Sequence, residues 1–132
     1  MEQSKDERWR QSIENFERSY KLLEKYSKQT IENELERAGF VHFFEMTLEL
    51  SLKVLKDYLE VQGYNVKSPR ETIKQAYQID LIDDGHIWLG ALSKRNLTAH
   101  TYDEALAKEF ANEITQLYFP AIKVLYVKLS EE

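Results

Sequence analysis

Apolar residues recur along the chain at intervals of three and four, the spacing of an amphipathic helix rather than a strand. Trp9, Ile13, Phe16, Tyr20 and Leu23 step by four, three, four and three, so one apolar stripe runs along a first helix from about Asp6 to Tyr26. Val41, Phe44, Leu48, Leu55 and Leu59 form the stripe of a second helix, which starts between Thr30 and Leu35 and ends near Gln62. Phe40, Phe43, Leu50 and Val54 add a second apolar flank, which predicts contact with several neighbours. Gly63 supplies the stop.

Ser68-Pro69-Arg70-Glu71 opens a third helix: Ser68 caps it, Pro69 suits the first helical position, and Glu71 returns a bond to the cap. Ile73, Ala76, Tyr77 and Leu81 are expected to face inward. Asp83-Asp84-Gly85 then breaks the chain, and the two aspartates read as turn and cap residues rather than a metal site. A fourth helix follows from about His86 to Lys94, carrying Ile87, Trp88, Ala91 and Leu92. The last helix spans about Asp103 to Leu129, with Thr101 and Glu104 at capping-box spacing. Pro120 lies inside it, removes one backbone hydrogen bond and predicts a kink. From Leu117 to Leu129 this helix is apolar on nearly every side, with Lys123 the main interruption. Two arrangements fit that pattern: burial all round, or cover from a second chain.

Four Gly and two Pro leave little material for turns, and there is no repeat, linker or low-complexity tract. The expectation is an all-α bundle in a single domain, residues 1–132. The absence of cysteine excludes disulfides, thiolate catalysis and cysteine-based metal sites. Met1 to Arg10 is charged with no apolar run behind it, unlike a secretory signal, and no window is long and apolar enough to span a membrane. A cytoplasmic protein is expected. The net charge of −5 weighs against coating nucleic acid by bulk electrostatics. It leaves room for a local basic site, and it suits a protein partner.

The three histidines, His42, His86 and His100, show no helical metal-ligand spacing, and Gly-rich phosphate loops and nucleophile elbows are absent. One segment carries pointed chemistry: Arg95-Asn96-Leu97-Thr98-Ala99-His100-Thr101-Tyr102. In a continuous helix Arg95 and His100 would point about 140° apart. They converge only if the helix ends between them. Asn96, Thr98 and Thr101 favour such an end, which gathers Arg95, Asn96, His100 and Tyr102 at one corner of the bundle. Arginine binds phosphate oxygens bidentately, and histidine exchanges protons near neutral pH. The pair suffices for metal-independent RNA cleavage, in which the ribose 2′-OH attacks the adjacent phosphate. One histidine serves poorly as acid and base in the same step; a two-fold dimer would supply a second. A plainer reading stays open: an arginine or histidine near a helix end also binds terminal carbonyls, and Tyr102 would simply pack.

Arg95, the polar Asn96, His100 and Tyr102, with a long N-terminal helical pair and a Tyr118-Phe119-Pro120-Ala121 segment inside the last helix, resemble the HEPN family. The branch is the one encoded beside minimal nucleotidyltransferases, often named nucleotidyltransferase substrate-binding proteins. The resemblance implies an up-and-down bundle of four to five helices, forming a homodimer whose motifs face each other across the two-fold axis. It also implies a ribonuclease toxin that needs no metal or cofactor, with the nucleotidyltransferase as antitoxin attaching AMP to the motif tyrosine. On this chain Arg95 and His100 would be catalytic, Asn96 supporting and Tyr102 the modified residue. Local cations would hold the RNA; Lys67, Arg70, Lys74, Lys94 and Lys108 are candidates. The older family name describes a binding partner, so a non-catalytic substrate-binding subunit of a nucleotidyltransferase is the alternative. A helical scaffold with a purely structural motif is the third reading.

Overall fold

Polar caps decide where each helix begins. The computed structural model describes residues 4–95 and 103–131. Its elements are α1 (Lys5–Ser27), α2 (Glu34–Val61), α3 (Pro69–Gln78), α4 (Gly85–Lys94), α5 (Glu104–Glu113) and α6 (Phe119–Ser130). A π-helical stretch, Ile114–Tyr118, joins α5 to α6 in one continuous rod, and no strand occurs among the described residues. The side chains of Ser4, Asn33, Ser68, Asp84 and Asp103 accept the first free N–H groups of α1 to α5 in turn. Each satisfies a donor that has no partner within its helix. Asp84→Ala leaves two such donors, those of His86 and Ile87, without their acceptor. It is expected to cost about 1–2 kcal/mol in urea unfolding; a change within ~0.3 kcal/mol would show that solvent replaces the cap.

The architecture is an up-and-down helical bundle of five rods. The two long helices α1 and α2 pair first. Phe16, Tyr20 and Leu23 of α1 are buried in one core with Phe40, Phe44, Leu48 and Leu55 of α2. Burial of each such side chain contributes about 1.5–3 kcal/mol. Two buried polar links cross the same seam. Ser12 donates to Asp57, and Ser19 and Thr47 share a hydroxyl–hydroxyl bond of 2.6 Å. The last rod closes the bundle through aromatic rings: Tyr126 stacks on Tyr20 at 4.1 Å, and Phe110 meets Phe44 edge-on at 5.7 Å. Among the described residues no helix is long and apolar enough to cross a membrane.

Four expectations need correction. Tyr77 does not face inward; it is 53% exposed. The buried face of α3 is Thr72, Ile73 and Ala76, and the next residue turns a further 100° away. Glu71 does return a bond, but to the N–H of Lys67, one residue before the cap. Asp103, not Thr101, caps α5; Thr101 lies outside the described residues. Pro120 produces a wide turn where a simple kink was expected. The N–H of Phe119 donates to the carbonyl of Ile114, five residues back. A proline ring clashes with the carbonyl four residues before it, and a π-helical turn moves that carbonyl aside.

Chain reversals use left-handed backbone at two places. Gly63 (φ 94°) ends α2, with the N–H of Tyr64 returning to Leu59. Asp80 (φ 61°) ends α3, with the N–H of Leu81 returning to Ala76. Lys128 on α6 clamps that second turn, donating to the Asp80 carbonyl at 2.9 Å and to Asp83 at 2.6 Å. Of the two arrangements open for the last helix, burial all round is excluded: Leu117 is 43% and Val127 44% exposed.

Candidate functional site

The corner singled out in the sequence sits where α4 stops. Trp88 and Ala91 turn inward from α4 and are buried. Gly90 lies against the π-helical stretch; a Cβ there would stand 3.4 Å from the Tyr118 hydroxyl oxygen. One turn later Lys94 forms an ion pair with Glu113 and lies 5.9 Å over the Tyr118 ring. The Glu113 carboxylate also accepts from the Tyr118 hydroxyl at 3.4 Å. Its bond to Glu113 raises the pKa of Lys94 above the ordinary lysine value, against the lowering effect of partial burial. Lys94 therefore stays charged and braces α4 to the last rod, whatever it does for a ligand.

Immediately after this brace the helix ends. Arg95 has extended backbone (φ −60°, ψ 142°) and is the last described residue before 103. Its guanidinium donates to the Glu49 carboxylate of α2 at 3.1 Å. The Arg95 side chain is 37% and the Glu49 side chain 57% exposed, so the pair contributes only ~0–1 kcal/mol. A phosphate could take the place of Glu49 at small cost, because arginine meets phosphate through two parallel bonds. Asn96, His100 and Tyr102 lie outside the described residues.

Two polar clefts flank α4. The first, of ≈ 540 Å³, opens beside its N-terminal end and includes Lys74, Tyr77, Asp83 and His86. Ten residues of α4 separate that end from Arg95, about 15 Å along the axis. Lys74 is thus not brought to the corner, and Arg70 is exposed on the first turn of α3. Lys108 lies on α5, paired with Glu104 at 3.2 Å. The second cleft, of ≈ 580 Å³, runs between α2 and the start of α3 and includes Glu49, the partner of Arg95. Arg8, Lys53, Lys56 and Lys67 also line it. Sequence reasoning missed Glu49, Lys53 and Lys56, although they repeat at helical spacing on α2; attention to apolar stripes leaves the polar face unread. Among the described residues no group of three metal-ligating side chains forms.

A family profile described as nucleotidyltransferase substrate binding protein like matches residues 11–131. A protein named Probable ribonuclease HepT, from Haemophilus influenzae, is 33% identical over 75 residues, covering 53% of this chain and 51% of that protein. The match thus spans about half the length of that curated relative. A crystal structure of a Thermus thermophilus protein has a TM-score of 0.79 and 28% identity, covering 86% of this chain and 98% of that one.

Proposed function

The chain belongs to the nucleotidyltransferase substrate binding protein-like family, a branch of the HEPN proteins, and from that premise we propose that it is a ribonuclease toxin held in check by a nucleotidyltransferase. The observation that carries this reading is the end of α4. Lys94 is braced to Glu113, the helix stops, and Arg95 leaves in extended backbone with its guanidinium at the surface beside Glu49. That is the break which an arginine and a histidine five residues apart need if they are to serve one phosphate. The name of the Haemophilus influenzae relative supports the same chemistry.

In the reaction the ribose 2′-oxygen attacks the adjacent phosphorus and the bond to the 5′-oxygen breaks, leaving a 2′,3′-cyclic phosphate. His100 takes the proton from the 2′-hydroxyl, and a second His100, from the other subunit of a homodimer, gives one to the departing 5′-oxygen. Arg95 stabilises the negative charge that builds on the phosphoryl oxygens, and Asn96 supports it. The open apolar face of Leu117, Pro120 and Val127 offers a surface for that second subunit. AMP attached to Tyr102 would put a bulky anion beside Arg95 and His100, filling the site and repelling RNA phosphate.

One assay tests the chemistry and its control together. The purified chain is expected to cleave single-stranded RNA in the presence of EDTA, leaving cyclic phosphate ends. After incubation with its nucleotidyltransferase and ATP, cleavage should fall as AMP appears on a peptide containing Tyr102, and Tyr102→Phe should escape both changes. Cleavage that requires added magnesium would overturn the mechanism. Intact RNA from the chain alone, with stable co-purification of the nucleotidyltransferase, favours the second reading. That reading is a non-catalytic substrate-binding subunit, and the family's own description supports it.

A further inference from the structure

We infer that the cleft between α2 and the start of α3 is the track for the RNA backbone leading to Arg95, an inference that rests on the ribonuclease reading above. The protein as a whole carries a charge of −5, so RNA must be gathered by a local exception. This cleft is such an exception. Arg8, Lys53, Lys56 and Lys67 line it, and Arg95 joins it through Glu49. Glu49, Asp57 and Glu60 are the carboxylates that oppose these five cations.

The opposing charges are not evenly distributed. Arg8 stands 3.8 Å from Glu60, and Lys53 is held at 3.1 Å by Asp57, which is buried and also accepts from Ser12. Lys56 and Lys67 enter no ion pair among the described residues, and both are exposed. On α2 the polar face steps from Glu49 to Lys53 to Lys56, each step about one helical turn, ~5 Å. A strand whose scissile phosphate displaces Glu49 from Arg95 could therefore lay its next phosphates against Lys53 and Lys56, with Lys67 on the facing wall. The Ser68 and Thr72 hydroxyls in the lining are both engaged in helix-end bonds, so the cleft reads charge and carries little base recognition.

The test separates binding from cleavage. A labelled 2′-O-methyl oligoribonucleotide has no attacking hydroxyl and is not cut, so its anisotropy reports the track alone. K56Q/K67Q, which spares the Lys53–Asp57 pair and hence the buried carboxylate, is expected to bind about tenfold more weakly at low salt. The slope of log affinity against log salt should fall by about two. E49Q should change affinity in the opposite direction, about two- to threefold tighter, by removing a competing carboxylate. K21Q/K28Q, on α1 away from the cleft, should change nothing. Equal affinities for K56Q/K67Q and K21Q/K28Q would overturn the track. So would unchanged RNA affinity accompanied by a weakened complex with the nucleotidyltransferase, which would make the cleft a protein-binding surface. If cleavage of ordinary RNA is absent but K56Q/K67Q still weakens binding, the nuclease reading fails and the track stands.

Discussion

His100→Ala is expected to lower RNA cleavage by about 10²- to 10⁴-fold, the range that a positioned proton-transfer group contributes. Expressed alone, the unsubstituted chain should arrest growth and degrade RNA, and His100→Ala should do neither. Arg95→Ala should produce a similar loss for a different reason. It removes charge stabilisation at phosphorus rather than proton transfer, so lysine at position 95 should restore only part of the activity, having charge without the two-pronged geometry. The Arg95–Glu49 pair is largely exposed, so Arg95→Ala should shift the urea midpoint little. Normal growth inhibition by His100→Ala would sink the catalytic assignment. Equal loss of stability in both variants would mean that the segment is structural.

The largest expected effect on stability is at the other end of the same helix. Trp88→Ala should cost about 3–5 kcal/mol in chemical denaturation, through lost burial and the cavity left behind. Trp88 is among the largest fully buried side chains, and with Ala91 it fixes the inward face of α4. The same substitution should reduce cleavage even where the protein remains folded, because α4 sets the position of Arg95. An effect below ~1.5 kcal/mol would mean that neighbouring side chains collapse into the space.

Trp88 also shows why the fold could be read from the sequence. Stripes of residues spaced by three and four, bounded by Ser68, Asp84 and Gly63, depend on local chemistry that survives in any helical bundle. Tyr77 misleads because position 77 fits the periodicity as well as Ala76 does, and only the neighbours decide which side is covered. Asp80 gives no advance notice either: its left-handed backbone is held by Lys128, 48 residues later, and such a partner has no local signature. The site is legible in part. Arg95 followed by Asn96, His100 and Tyr102 can be found by spacing, and so can the need for the helix to end near Arg95. Glu49 cannot, because its link to Arg95 spans 46 residues and depends on how α4 lies across α2. Lys94 looks like a ligand cation on charge alone; its bond to Glu113 is a product of tertiary folding.

The π-helical stretch solves a problem of phase. Phe110, Ile114, Tyr118 and Ile122 are all buried and follow one another in three successive steps of four. Each step of four overshoots a full α-helical turn by about 40°. A regular helix would have rotated Ile122 about 120° from the line of Phe110, toward solvent. The wide turn holds more residues per revolution and absorbs that surplus, so both halves of the last rod present the same side to α1 and α2. The chain in effect carries one residue more than an ideal helix could place, at the point where Tyr118 receives Gly90 and Lys94. The seat on which α4 rests, and with it the direction in which Arg95 leaves the bundle, is set by that single extra residue.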